Sequence, residues 1–346
     1  MSAKADERSY DALGTHTWAL VLAAGEGRRL SNLTTDANGI TVPKQFCSLE
    51  GGPSLLTTSL DRARSVVADE RVCVVVADQH RHWWAEFAEV LPTANVFVQS
   101  HNRGTANGIL FPLLGILARD EQARIVVLPS DHYFSDEAVV ARALHSAADA
   151  LSPRSRDVVL LGIEPEDADA ELGYIVPGEG DGRGTLPVRR FMEKPESAIA
   201  RRLISAGALW NSLIFAAGGR SLFRLFERRC PEVVAAMQIA VNEPGPPLQS
   251  SSALRVLYER LPNIDFSRHI LESAVDALRV RPVPHCGWTD LGTVRRVADT
   301  LDRLPARAPQ APRSAACFDL ASALRKRITQ RRAAVPARNT SDAYER

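Results

Sequence analysis

Short apolar runs rich in β-branched residues recur through the first half of the chain, at Trp18–Ala23, Val72–Ala77, Asn95–Gln99, Ile125–Leu128 and Val158–Ile163. Between them, Leu55–Val67, His80–Val90, Thr105–Ala118 and Glu137–Leu151 carry apolar residues at helical spacing. The alternation β-α-β-α predicts an α/β fold with a doubly wound, mostly parallel, Rossmann-like sheet. Such sheets bind ligands outside the carboxyl ends of their strands. From Gly173 onward the pattern changes to shorter strands (Gly173–Val176, Val188–Glu193, Leu209–Ala216) among helices, with a Pro/Gly/Ser-rich break at Asn242–Ser252. A smaller α+β part covering the site is expected there.

Residues 1–15 have too little hydrophobic periodicity to fold alone and are expected to be a flexible arm. Residues 16–304 are expected to form one domain in two halves, 16–165 and 166–304. Residues 305–346 are rich in Ala, Pro and Arg and are expected to be a basic tail, solvated or weakly docked, in which Leu320–Arg332 can make one amphipathic helix. No repeat of fixed period occurs, and no hexapeptide pattern that would build a solenoid.

Composition narrows the classes. The 346 residues are 45% hydrophobic, enough for a large core, and the net charge of +1 makes no electrostatic case for nucleic acid or an acidic membrane as partner. Any anion must be bound by locally placed groups. Five cysteines (Cys47, Cys73, Cys230, Cys286, Cys317) form no C-x-x-C pair, against a zinc site or a disulfide framework and in favour of reduced thiols. The polar start lacks a signal core, and no stretch nears the roughly 20 apolar residues of a membrane span. A cytoplasmic protein is expected, with no nucleic-acid or membrane partner. A homodimer is the one protein partner that the reading admits.

The first candidate chemistry lies where Trp18–Ala23 empties into Ala24-Gly25-Glu26-Gly27-Arg28-Arg29-Leu30. Glycines there let backbone N–H groups approach an anion, and Arg29 and Lys44 add positive charge. Leu30 replaces the third glycine of a dinucleotide fingerprint, and no P-loop occurs. Asp131 ends the strand Ile125-Val-Val-Leu-Pro-Ser, and Asp290 sits in the tight loop Cys286–Gly292. Either acid alone is more often a cap or a turn residue. Together they are candidates to hold Mg²⁺, which prefers carboxylate and phosphate oxygens. His132 reads as a hydrogen-bonded structural residue.

Gly25-x-Gly27-x-Arg29-Leu30 followed by Pro43-Lys44 resembles the signature of sugar-1-phosphate nucleotidyltransferases. Further segments in the same order are similar to mannose-1-phosphate guanylyltransferases: Asn102-Arg103-Gly104-Thr105-Ala106, Glu171-Leu-Gly173-Tyr174-Ile175, Phe191-Met-Glu193-Lys194-Pro195, Leu209-Trp210-Asn211-Ser212 and Ile264-Asp265-Phe266. The resemblance implies a nucleotide-diphospho-sugar transferase type of fold. It implies condensation of GTP with mannose-1-phosphate into GDP-mannose and pyrophosphate, by in-line attack on the α-phosphate with Mg²⁺ held by Asp131 and Asp290. The half 16–165 would then bind nucleotide through Leu22, Ala23, Ala24, Gly25, Gly27, Gln99, Arg103, Gly104 and Thr105. The half 166–304 would bind sugar phosphate through Gly173, Glu193, Lys194, Asn211 and Asp265. Arg29 and Lys44 are implied to act on the triphosphate and Lys194 on the sugar phosphate, as the catalytic cations. Arg28, a longer Leu30–Pro43 loop and Asn107 depart from the family's pattern. They leave open another triphosphate with a hexose- or cyclitol-1-phosphate, or a catalytically inactive regulatory homologue.

Overall fold

The computed structural model describes residues 16–36, 38–151, 155–182, 184–243, 251–304 and 317–333. The chain runs through β1 (Thr17–Ala23), α1 (Ser31–Thr34), β2 (Cys47–Ser48), α2 (Leu55–Arg64), β3 (Val72–Ala77), α3 (Arg81–Ala88), β4 (Val96–Gln99), α4 (Gly104–Leu117), β5 (Arg124–Pro129) and α5 (Glu137–Asp149). It continues through β6 (Val158–Ile163), β7 (Gly173–Pro177), β8 (Leu186–Glu193), α6 (Ser197–Ser205), β9 (Leu209–Gly218), α7 (Gly219–Arg229), α8 (Pro231–Asn242) and α9 (Ser252–Arg260). Last come β10 (Leu278–Val283), α10 (Val294–Arg303), β11 (Phe318–Asp319) and α11 (Leu320–Ala333).

These elements divide into two compact units, one of the described residues up to Glu26 with Leu56–Asp290, the other of Gly27–Leu55 with the described residues from Leu291 on. The larger unit is built on a sheet of order β4-β3-β1-β5-β9-β6-β10-β8-β7. Strands β4, β3, β1 and β5 are mutually parallel, as are β6 and β10, while β9 runs antiparallel to both β5 and β6. β3 and β6 are buried at every position, as continuous apolar runs covered on both faces must be. Helix α4 is apolar nearly all round, and Ala106–Leu113 are all buried, so it lies inside the core. Its Phe111 meets Phe97 edge-on at 5.3 Å between ring centroids, and elsewhere in the same cluster Phe215 stacks on Phe266 at 5.2 Å.

The α/β class is the one expected. Strand β9, from the expected half 166–304, fills the place between β5 and β6 of the half 16–165, so one sheet runs through both halves. A second pairing of β7 with β9 closes β9-β6-β10-β8-β7 into a ring. Strand β10 was not expected, although Leu278 and Val280 alternate with Arg279 and Arg281. Arg279 is nevertheless buried, bidentate on Asp181 at 2.7 and 2.9 Å and donating to Thr185.

In the smaller unit β2 pairs in parallel with β11, Cys47 opposite Phe318 and Ser48 opposite Asp319. Helix α11 packs on α1 and α10. Helix α11 falls where one was expected, over Leu320–Arg332, within the segment read as a basic tail. Asp319 caps α11 through the Ala321 N–H and the Ser322 hydroxyl, and Leu320 is wholly buried. The expected arm 1–15, residues 244–250 of the expected break, and the tail segments 305–316 and 334–346 lie outside the described residues. Among the described residues no helix is long and apolar enough to cross a membrane.

Candidate active site

Strand register aligns Gly173 of β7 with Glu193 of β8 on one side and Asn211 of β9 on the other. The absence of a side chain at Gly173 makes room for the Glu193 carboxylate: a Cβ there would collide with Glu193 Oε2 and stand 3.1 Å from Asn211 Cβ. Glu193 has a side chain 9% exposed, and its Oε2 is buried with no hydrogen-bond partner. Burial pushes its carboxyl up to about 7; the Asp265 and Glu272 carboxylates push the same way, while Lys194 and Arg268 oppose them. A buried acceptor without a donor is costly unless a ligand satisfies it.

Lys194 follows with its Nζ 3.7 Å from Glu193 Oε1 and a side chain 43% exposed. Its φ of 50° is left-handed backbone, which a residue with a Cβ adopts at a cost of about 1–3 kcal/mol, a kind of strain that gathers at functional sites. Asn211 is fixed by its neighbours: its Nδ2 donates to Ser267 Oγ at 3.1 Å, and its Oδ1 accepts from the Leu213 N–H. A register shift between Leu160 and Gly162 opposite this turn re-aims the strand. Asp265 spends one carboxylate oxygen on the Arg268 N–H at 2.9 Å, starting the turn Ser267–Leu271. The sequence did not single out Glu272, which accepts the Glu193 N–H at 2.6 Å, or Ser267; both are brought in by folding alone.

At the carboxyl edge of the parallel strands, the Ser130 N–H donates to Leu22 O and ties the ends of β5 and β1 together. Gly25 beyond β1 is exposed, with open space where a Cβ would be. Asp131 and Asp290 lie on segments joined by reciprocal 3.0 Å hydrogen bonds between Tyr133 and Thr289. The Ser135 hydroxyl adds a bond to Cys286 O. Asp290 is 6% exposed and Asp131 has a side chain 35% exposed. Leu291 beside Asp290 is again left-handed, at φ 46°. Trp288 Nε1 donates to His132 Nδ1 at 3.2 Å and its ring meets His132 edge-on, consistent with the structural role expected of that histidine.

Among the described residues no group of three or more His, Cys, Asp or Glu is placed to hold a metal ion. Two carboxylates suit Mg²⁺, which keeps several waters and takes substrate phosphates as ligands, and do not suit a zinc cage.

The Arg103–Thr105 segment is occupied by internal contacts. Arg103 Nε and Nη2 donate to Tyr258 O and Glu259 O, both at 2.7 Å, near the end of α9. Gly104, at φ 85°, lets the backbone lie against Ile264 O, and Thr105 Oγ1 accepts the Phe266 N–H at 2.8 Å. The guanidinium that the resemblance assigns to nucleotide thus donates to carbonyls at a helix C-terminus, the negative end of its dipole. Gln99 is buried, with its amide against Gly108 of α4 and beside Tyr258.

In the smaller unit Gly27, at φ 63°, precedes a tight turn over Arg28–Leu30 in which Arg29 is exposed. A Cβ at Gly27 would stand 3.0 Å from Lys44 N, so glycine permits this close approach. Lys44 opens the turn Lys44–Phe46 and is only 4% exposed. The structure thus brings Gly27 and Lys44 together in one unit, and Gly173, Glu193, Lys194 and Asn211 together in the other, where Asp131 and Asp290 lie on two bridged segments.

Residues 18–305 match the nucleotidyl transferase family. A mannose-1-phosphate guanylyltransferase of Salmonella muenchen is 28% identical over 293 residues, 83% of this chain and 60% of that protein. Mannose-1-phosphate guanylyltransferase RfbM of Salmonella typhimurium is 29% identical over 279 residues, 79% of this chain and 56% of that one. The chain thus spans less than two thirds of the length of these relatives. A crystal structure from Thermus thermophilus, described as a mannose-1-phosphate geranyltransferase, superposes with a TM-score of 0.72 at 28% identity, covering 85% of this chain and 81% of that one.

Proposed function

The chain belongs to the nucleotidyl transferase family, and from that membership we propose that it condenses GTP with mannose-1-phosphate to give GDP-mannose and pyrophosphate. The observation that carries the reading is the Gly173–Glu193–Asn211 row, whose buried Glu193 Oε2 lacks a donor and lies next to Lys194. In this reading a sugar hydroxyl supplies the missing donor, and Lys194 meets the phosphate on the same ligand. The names of the relatives support GTP and mannose as the specific pair.

In the reaction a phosphate oxygen of the sugar phosphate forms a bond to the α-phosphorus of GTP. The bond from that phosphorus to the bridging oxygen breaks, and pyrophosphate leaves with the electron pair. No general base is needed, because a phosphate monoester, with a second pKa of about 6, is already ionised near neutral pH. The task of the protein is to overcome repulsion between two polyanions by positioning and by opposite charge. Arg29 and Lys44 act on the triphosphate and Lys194 on the sugar phosphate. Asp131 and Asp290 would hold Mg²⁺, which when bound neutralises triphosphate charge. The exposed Gly25 gives backbone room for the nucleotide at the end of β1.

The test is pyrophosphate release from a panel of nucleoside triphosphates paired with hexose- and cyclitol-1-phosphates in the presence of Mg²⁺. GTP with mannose-1-phosphate is expected to turn over fastest. Turnover only with another pair overturns the substrates, and silence of every pair overturns the activity.

A further inference from the structure

The segment that carries Arg29 and Lys44 has little regular structure of its own. Among the described residues of Gly27–Leu55 there are only α1, short turns, the two-residue strand β2 and the first residue of α2. A Thr35–Thr41 bridge and the Val42 N–H bond to Thr34 O tie it internally, and further contacts come from residues almost three hundred positions away. β2 pairs with β11, the Ala321 N–H donates to Leu49 O at 3.0 Å, Cys317 Sγ donates to Phe46 O at 3.5 Å, and Arg327 donates to Asn32 O at 3.1 Å. Leu320 is wholly buried and Ala321 nearly so.

These contacts run directly to Lys44. The Cys47 N–H, in β2, donates to Lys44 O and closes the turn Lys44–Phe46, and the Lys44 backbone in turn lies against Gly27. A lysine is a point charge on a stem of four rotatable bonds, so its value to a reaction depends on how firmly the stem is held. Here the residue is buried to its last few per cent in a turn whose far side is β11.

We propose that Cys317–Ala321 are positioning residues for the triphosphate-binding cations, a strand and helix start added to β2 that hold Lys44 in place. The proposal rests on the assignment of Lys44 to the triphosphate. It differs from mere structural support in its prediction: loosening β11 impairs handling of GTP and spares mannose-1-phosphate.

The test uses the full chain with Leu320→Asp, which places a charge at a wholly buried position, and Asp319→Ala, which removes the cap of α11. Lys44→Ala serves as reference. KM and kcat are measured for each substrate at saturation of the other, with labelling of Cys47 by a thiol reagent, located by mass spectrometry, as a second readout. Leu320→Asp is expected to raise the KM for GTP about tenfold or more while the KM for mannose-1-phosphate stays within about twofold. Cys47, fully buried beside Cys317, is expected to label faster. Asp319→Ala acts in the same direction by less and carries the test should Leu320→Asp not fold. An equal rise in both KM values, or an unchanged KM for GTP with Cys47 exposed, overturns the proposal. If Lys44→Ala itself leaves GTP handling intact, the assignment of Lys44 has failed instead.

Discussion

The Gly173–Glu193–Asn211 row, proposed for the sugar phosphate, and the Gly27–Lys44 segment, proposed for the triphosphate, are built in opposite ways. In the row, three neighbouring strands fix the side chains through register, and one missing side chain makes the space for a carboxylate. In the segment, a tight turn is held by a two-residue strand whose partner comes from the far end of the chain. Register is a period-two property that acts locally, whereas docking of a distant strand depends on the whole fold. The first kind of site rests on the pairing of its three strands, with Glu272 and Ser267 bracing Glu193 and Asn211 from behind. The second is exposed to changes in residues that never meet the substrate.

The largest effect that would break this contrast concerns charge. Lys44→Ala is expected to lower kcat/KM for GTP about a hundredfold or more, as loss of a charge-stabilising group does elsewhere, when initial rates are followed by pyrophosphate release. Gly173→Ala comes next. Its Cβ must displace the Glu193 carboxylate, so the KM for mannose-1-phosphate rises about tenfold with the KM for GTP unchanged. A rise in both would show that the strand row is not confined to one substrate.

Glu193→Gln sharpens the contrast through stability. The carboxyl of Glu193 in the folded protein titrates near 7 against 4.5 in the unfolded chain, so between those values the folded state binds more protons and stability is lost as pH rises. Below about 4.5 the cost is absent, and above about 7 it is complete. Thermal melts of the ligand-free protein should show the Gln variant gaining on the parent by several degrees from about pH 5 to about pH 8. A constant difference would place the Glu193 carboxylate in a solvated setting. The smallest effect on activity is expected for Arg103→Ala. With its guanidinium bound to Tyr258 and Glu259, the change should cost about 1–3 kcal/mol of stability by chemical denaturation and alter the KM for GTP less than about twofold.

The same contrast explains what could be read from the residues. Strands β1, β3, β5 and β6 show as apolar runs because both faces are covered, and Gly173, Glu193 and Asn211 were found as parts of short segments that strand pairing then aligned. Strand β10 carried its alternation in plain view but was masked by Arg279, whose burial depends on Asp181 almost a hundred positions away. The insertion of β9 between β5 and β6 has no local signature, since nothing in Leu209–Gly218 states its neighbours. Glu272 and Ser267 reach Glu193 and Asn211 across 79 and 56 positions. The placement of Arg103 on α9 and of Phe318 beside Cys47 is likewise a matter of tertiary docking.

The central claim is that one set of residues handles the triphosphate and another the sugar phosphate of a single transfer reaction. The most direct measurement is the pair of KM values, for GTP and for mannose-1-phosphate, in Lys44→Ala and Glu193→Gln side by side. The account predicts a crossed pattern, with the KM for GTP raised in the first variant and the KM for mannose-1-phosphate raised in the second. Equal changes in both substrates for both variants, or no change in either, would contradict it.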